Sequence, residues 1–85
     1  MDRSDVFAAV KESAVELLKV EPDRVTEDAL FGEDLEADSL DLTELVMALE
    51  DRFGIEVPED DLEDVRTVGD AVELVLAKVG SGAGT

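Results

Sequence analysis

The chain contains no cysteine and no histidine, and basic residues are scarce: 7 lysines and arginines stand against 24 aspartates and glutamates in 85 residues. Without cysteine there is no disulfide, no thiolate zinc site and no protein-borne catalytic thiol. Without histidine, a serine nucleophile lacks its usual base. The formal charge of −17 repels phosphate backbones and anionic lipid, so the sequence predicts no nucleic-acid and no membrane partner. A basic protein surface is the favoured partner instead. No apolar run approaches the roughly 20 residues of a membrane span. The opening "MDRSDVFAAVKES" lacks the basic flank and apolar block of a secretory signal, so a cytoplasmic protein is expected.

What is present points to one small folded domain. Hydrophobic residues make up 45% of the chain, too many for an acidic disordered tail. A chain of this length buries only roughly 60% of the surface its unfolded form exposes, so the core must be simple. Self-repulsion weakens such a compact state, and added salt or divalent cations are expected to tighten it.

Apolar spacing predicts an all-α four-helix bundle, three longer helices and one short one, with a long loop between helices one and two. From Ser4 as N-cap, Phe7, Val10, Ala14, Leu17 and Leu18 recur along one helical face, ending near Lys19. Pro22 breaks the pattern, and residues 21–38 read as an ordered loop anchored by Val25, Leu30, Phe31 and Leu35. A second helix is predicted over Ser39–Phe53, with Asp38 as N-cap, Asp41 in its first turn and Gly54 as its stop. A short helix follows Pro58, and a last one opens on Thr67 and Asp70, a capping box with aspartate in place of glutamate. The folded domain is expected over residues 1–79, with "SGAGT" and the rest of 80–85 as a disordered tail.

On a wheel of 3.6 residues per turn, Leu42, Leu45, Val46, Leu49 and Phe53 share one side of the second helix. Leu40, Glu44, Met47 and Asp51 fall on roughly the opposite side. Two large apolar residues among acids read either as ordinary solvated surface or as a docking face, with Leu40 and Met47 entering a partner's groove. Asp41, Glu44, Glu50 and Asp51 would then meet the partner's basic groups.

Ser39 is either a plain cap or a position that another enzyme modifies; catalysis by Ser39 itself is not expected, because this chain places no base near it in sequence. No catalytic residue is therefore assigned. No metal ligand is assigned either. An EF-hand frame fails at Gly32, which would make Ala29 and Phe31 ligands, and at Gly69, which would use Arg66 and Val68.

The stretch "LFGEDLEADSLDLTELVMALEDRFGIEVPEDD", with "RTVGDAVELV" after it, resembles the discrete acyl carrier proteins of type II fatty-acid and polyketide synthesis, over residues 4 to 79. The resemblance implies 4′-phosphopantetheine on Ser39 as a phosphodiester, with acyl groups held as thioesters on its terminal thiol. It places Asp38 and Leu40 in the modification motif, and Asp41, Glu44, Met47, Glu50 and Asp51 on a partner-recognition helix. It implies a non-enzymatic, monomeric carrier whose partners are a phosphopantetheinyl transferase, a malonyl transferase, a ketosynthase and other basic-surfaced synthase enzymes. It also implies shelter for an acyl chain among residues such as Val46, Leu49, Ile55, Leu62 and Ala71.

Fatty-acid synthesis is the favoured pathway. A dedicated polyketide or other secondary-pathway carrier is one alternative, and an acidic protein-interaction adaptor is another. Three positions depart from the family pattern: Glu36 stands where glycine is usual, implying that no positive backbone dihedral is needed there, Thr43 replaces a commonly aliphatic residue, and Arg52 breaks a frequent run of acids.

Overall fold

The computed structural model describes residues 2–83. Four helices follow in order: α1 over Arg3–Leu18, α2 over Ser39–Phe53, α3 over Glu59–Leu62 and α4 over Val68–Ala83. Among the described residues there is no strand, only an isolated antiparallel bridge between Leu30 and Thr67. The predicted all-α bundle with three longer helices and one short one is the observed architecture.

α1 starts one residue before the expected Ser4 cap. Asp2 is the extended N-cap residue, and its carbonyl accepts from the amides of Asp5 and Val6, both at 3.1 Å. Ser4 thus lies inside the first turn. The buried face is Val6, Ala9, Val10, Ser13 and Ala14, rotated from the expected stripe so that Leu17 stays exposed. Lys19 ends the helix in the left-handed region, at φ 56°.

The connection to α2 is ordered by its own bonds. Pro22 opens a 3-10 turn over Pro22–Arg24, and Val25, Ala29, Phe31 and Leu35 then enter the core. The Phe31 amide donates to the Arg66 carbonyl at 3.0 Å, Val68 to Ala29 at 3.0 Å and Gly69 to Glu27 at 2.9 Å. These bonds staple the loop to the start of α4. A Cβ at Gly69 would stand 3.1 Å from the Glu27 carbonyl oxygen, so glycine permits this close approach. Glu36 corrects the expectation for its position: it adopts φ 55°, the left-handed conformation that suits glycine. The turn is needed because the Ala37 amide folds back to donate to the Phe31 carbonyl at 2.8 Å.

α2 has the predicted bounds, and its C-cap Gly54 takes φ 66°. α4 is capped reciprocally: Thr67 Oγ1 accepts from the Asp70 amide at 3.0 Å, and Asp70 Oδ2 accepts from the Thr67 amide at 3.1 Å. Its backbone stays helical through Ala83, where a disordered tail is expected from residue 80. Extending a formed helix adds one hydrogen bond per residue fixed, which offsets part of the cost of glycine. Residues 84 and 85 of that expected tail lie outside the described residues.

α4 packs most extensively on α1, α2 also packs on α1, and the α2–α4 contact is the thinnest of the three. Val6, Val10, Leu45, Leu49, Val68, Val72 and Val75 are closed into the shared core. Lys78 Nζ reaches Asp61 at 2.9 Å and ties α4 to α3. As a partly exposed pair it adds little stability.

Candidate functional site

Ser39 is the first residue of α2, and its side chain is exposed. Asp38 and Asp41 bracket it. The Asp41 amide donates to Asp38 Oδ1 at 2.9 Å, and the Asp38 amide donates to Asp41 Oδ2 at 3.3 Å. Thr43 Oγ1 donates to the Ser39 carbonyl at 2.8 Å. The main chain at Ser39 is thus held from both sides while its hydroxyl faces solvent. With no histidine in the chain, a hydroxyl so placed is suited to being modified rather than to attacking on its own.

The outward face of α2 is apolar where the wheel puts it. Leu40 is 74% exposed and Met47 is 58% exposed. Glu44 and Asp51 are exposed beside them. Two other expected docking acids have structural tasks: Asp41 is half-buried in the capping box, and half-buried Glu50 accepts from the Val57 amide at 2.9 Å through Oε2. Met47, Glu50 and Asp51 also line a shallow concavity with Gly54 and Ile55.

A second concavity, of about 290 Å³, opens beside Ser39. Leu30, Phe31, Leu42 and Val65 form its apolar part, while Asp38, Ser39 and Arg66 stand on its polar side. Sequence reasoning missed Arg66 here. Its only local signal is a lone cation between Val65 and the Thr67 cap, and the fold alone carries it to Ser39.

Of the residues expected to shelter an acyl chain, Val46, Leu49 and Ala71 are buried, while Ile55 and Leu62 are half-buried. Among the described residues, no group of three or more acids could hold a metal ion, and no helix is long and apolar enough to cross a membrane.

Comparison with known proteins agrees with this geometry. A family model described as the phosphopantetheine attachment site matches residues 8–75. The chain is 57% identical over 70 residues to an acyl carrier protein of Sulfurovum sp. (strain NBC37-1), covering 82% of this chain and 93% of that one. Its fold matches a solved acyl carrier protein from Enterococcus faecalis with a TM-score of 0.76 and 36% identity, over 92% of this chain and 99% of the other.

Proposed function

Since the chain belongs to the acyl carrier protein family, whose members carry phosphopantetheine and are not themselves enzymes, we propose that Ser39 is its attachment serine and that residues 1–79 form the carrier unit. The observation that carries this reading is an exposed hydroxyl on a main chain pinned at both ends, beside an open concavity. The residues present fit the group. An apolar floor and one cation suit an arm that begins with a phosphodiester and continues through a branched aliphatic segment.

Ser39 Oγ would hold the arm through a phosphodiester, giving up its proton to the modifying enzyme. Coenzyme A would be the donor, its adenosine bisphosphate part being the leaving group. When bound, the group supplies a terminal thiol for thioester exchange. The chain's own residues present it: the Asp38–Asp41 box fixes where the arm leaves the protein. Leu40 and Met47 offer an apolar contact, and exposed Glu44 and Asp51 steer basic-surfaced enzymes to it. Leu40 and Asp38 belong to the modification motif, and Asp41 and Glu50 add negative charge to the recognition face while holding its backbone.

Within this reading the chain is a monomeric cytoplasmic carrier of type II fatty-acid synthesis, serving a phosphopantetheinyl transferase, a malonyl transferase and a ketosynthase. The likeness of "DSLDLTELVMALED" to that branch supports the pathway. The deciding experiment is intact-mass measurement after incubation with coenzyme A and a broad-specificity transferase. The parent should gain one phosphopantetheine and Ser39→Ala none. Gain by both proteins, or by neither while a control carrier is loaded, overturns the assignment.

A further inference from the structure

Arg66 differs from the other arginines in what its side chain does. Arg3 pairs with Glu27, Arg52 lies 3.4 Å from Glu12 and Arg24 donates to the Asp34 carbonyl at 2.7 Å. For the Arg66 guanidinium, no ion pair is found among the described residues. Its main chain is nonetheless fixed: the amide donates to Asp70 Oδ2 at 3.1 Å and the carbonyl accepts from Phe31 at 3.0 Å. The fixed main chain thus brings an exposed arginine with no ion pair among the described residues to the lining of the concavity that Ser39 also lines.

We propose that Arg66 and the apolar floor beside Ser39 form a cradle for the first part of the prosthetic arm, the guanidinium pairing with the phosphodiester and the floor taking the branched pantoyl segment. This rests on Ser39 being the attachment site. Charge and polarity both select this occupant. A phosphodiester is an anion placed among acids, since Asp38 and Glu33 line the same concavity and Asp70 lies next to Arg66 in the structure. Asp38 is partly spent on the Asp41 amide; among the described residues, Arg66 is the one cation lining the concavity. Next along the arm comes a quaternary carbon bearing two methyl groups, which matches a floor of Leu30, Phe31, Leu42 and Val65. The arm is tethered at the cradle's own edge, so docking is intramolecular and needs little intrinsic affinity. An exposed ion pair of this kind changes the docked population by up to about fivefold. The arm is thus biased toward the protein without being locked there, and a partner enzyme can draw it out.

The test uses the full chain labelled with 15N, as parent, Arg66→Gln and Arg66→Lys, each before and after loading with coenzyme A. Arg66 is exposed and its structural bonds are made by the backbone, so both variants are expected to fold. In the parent, loading should shift the amides of residues 30–33 and 65–66 as well as those next to Ser39. Arg66→Gln should shrink the distant shifts severalfold, Arg66→Lys should keep most of them, and raising NaCl in the parent should mimic Arg66→Gln. Shifts confined to residues 38–41 in the loaded parent, or distant shifts unchanged in Arg66→Gln, overturn the cradle alone. A parent that gains no mass on incubation removes the attachment reading, and the cradle with it.

Discussion

Asp38 and Asp41 exchange hydrogen bonds across the serine between them, each carboxylate accepting from the other residue's amide, at 2.9 and 3.3 Å. The same pair therefore starts α2 and adds two negative charges beside Ser39. The two tasks are separable. Asp38→Ala removes the cap and should cost about 1 kcal/mol of stability. Asp38→Asn keeps an acceptor oxygen and should cost much less, while losing the charge. If charge at Asp38 serves the modifying enzyme, loading of Asp38→Asn should slow despite a near-normal urea midpoint. Loading rates that simply follow stability across the two variants would reduce Asp38 to a cap.

Glu36 carries a conformational cost that the loop imposes on it. A side chain in the left-handed region costs about 1 kcal/mol relative to glycine. Glu36→Gly should raise the urea midpoint by a corresponding amount, with no change in denaturant slope. It also removes one charge near the attachment serine, so loading is measured alongside. An unchanged midpoint would mean that Glu36 makes compensating interactions in the folded state.

How much of this was legible in the sequence depended on how local each signal was. The bounds of α2 follow from Asp38, Asp41 and Gly54, all within reach of the backbone groups they satisfy, and the outward setting of Leu40 and Met47 follows from helical period alone. The face of α1 did not follow as well. Its apolar residues span more than one stripe, and packing against α2 and α4 selected Val6 and Ala9 over Leu17. The left-handed Glu36 is a product of loop closure, enforced by Ala37 folding back on Phe31. Arg66 is the plainest case: the bonds that carry it to Ser39 join the long loop to α4, and no spacing rule reports them.

Asp70 gives a pH dependence of known sign. The Thr67 and Arg66 amides that donate to its carboxylate, in that order of effect, lower its pKa from the ordinary value. A carboxylate with a depressed folded pKa adds stability above its unfolded pKa of about 3.9, and that stability is lost as pH falls through the folded value. Asp70→Ala should therefore be less stable than the parent by about 1 kcal/mol at neutral pH, the magnitude of a lost cap. The gap should close as pH falls below about 4. Subtracting the two proteins' stabilities at each pH removes the relief of general self-repulsion that protonating other acids brings. A gap that stays constant to pH 3 would show that packing, not the ionised carboxylate, accounts for the loss.

Self-repulsion is the last term open to measurement. At a formal charge of −17, like charges face one another over most of the surface, while the ion pairs Arg3–Glu27, Arg52–Glu12 and Lys78–Asp61 are exposed or partly so. Salt weakens both, but the pairs are each worth little, and the repulsion is summed over many acids. Raising NaCl from about 0.01 to 0.15 M shortens the screening length from roughly 30 to 8 Å. The melting temperature should rise by several degrees, since about 1 kcal/mol shifts a domain of this size by roughly 4–8 °C. Keeping chloride below about 0.2 M separates screening from the surface-exclusion effects of concentrated salts. At equal ionic strength, a divalent cation should raise the midpoint further by associating with the folded protein's denser acidic surface. A melting temperature that is flat or falls over this range would show that the unfolded chain relieves no repulsion, and that the fold carries its charge without cost.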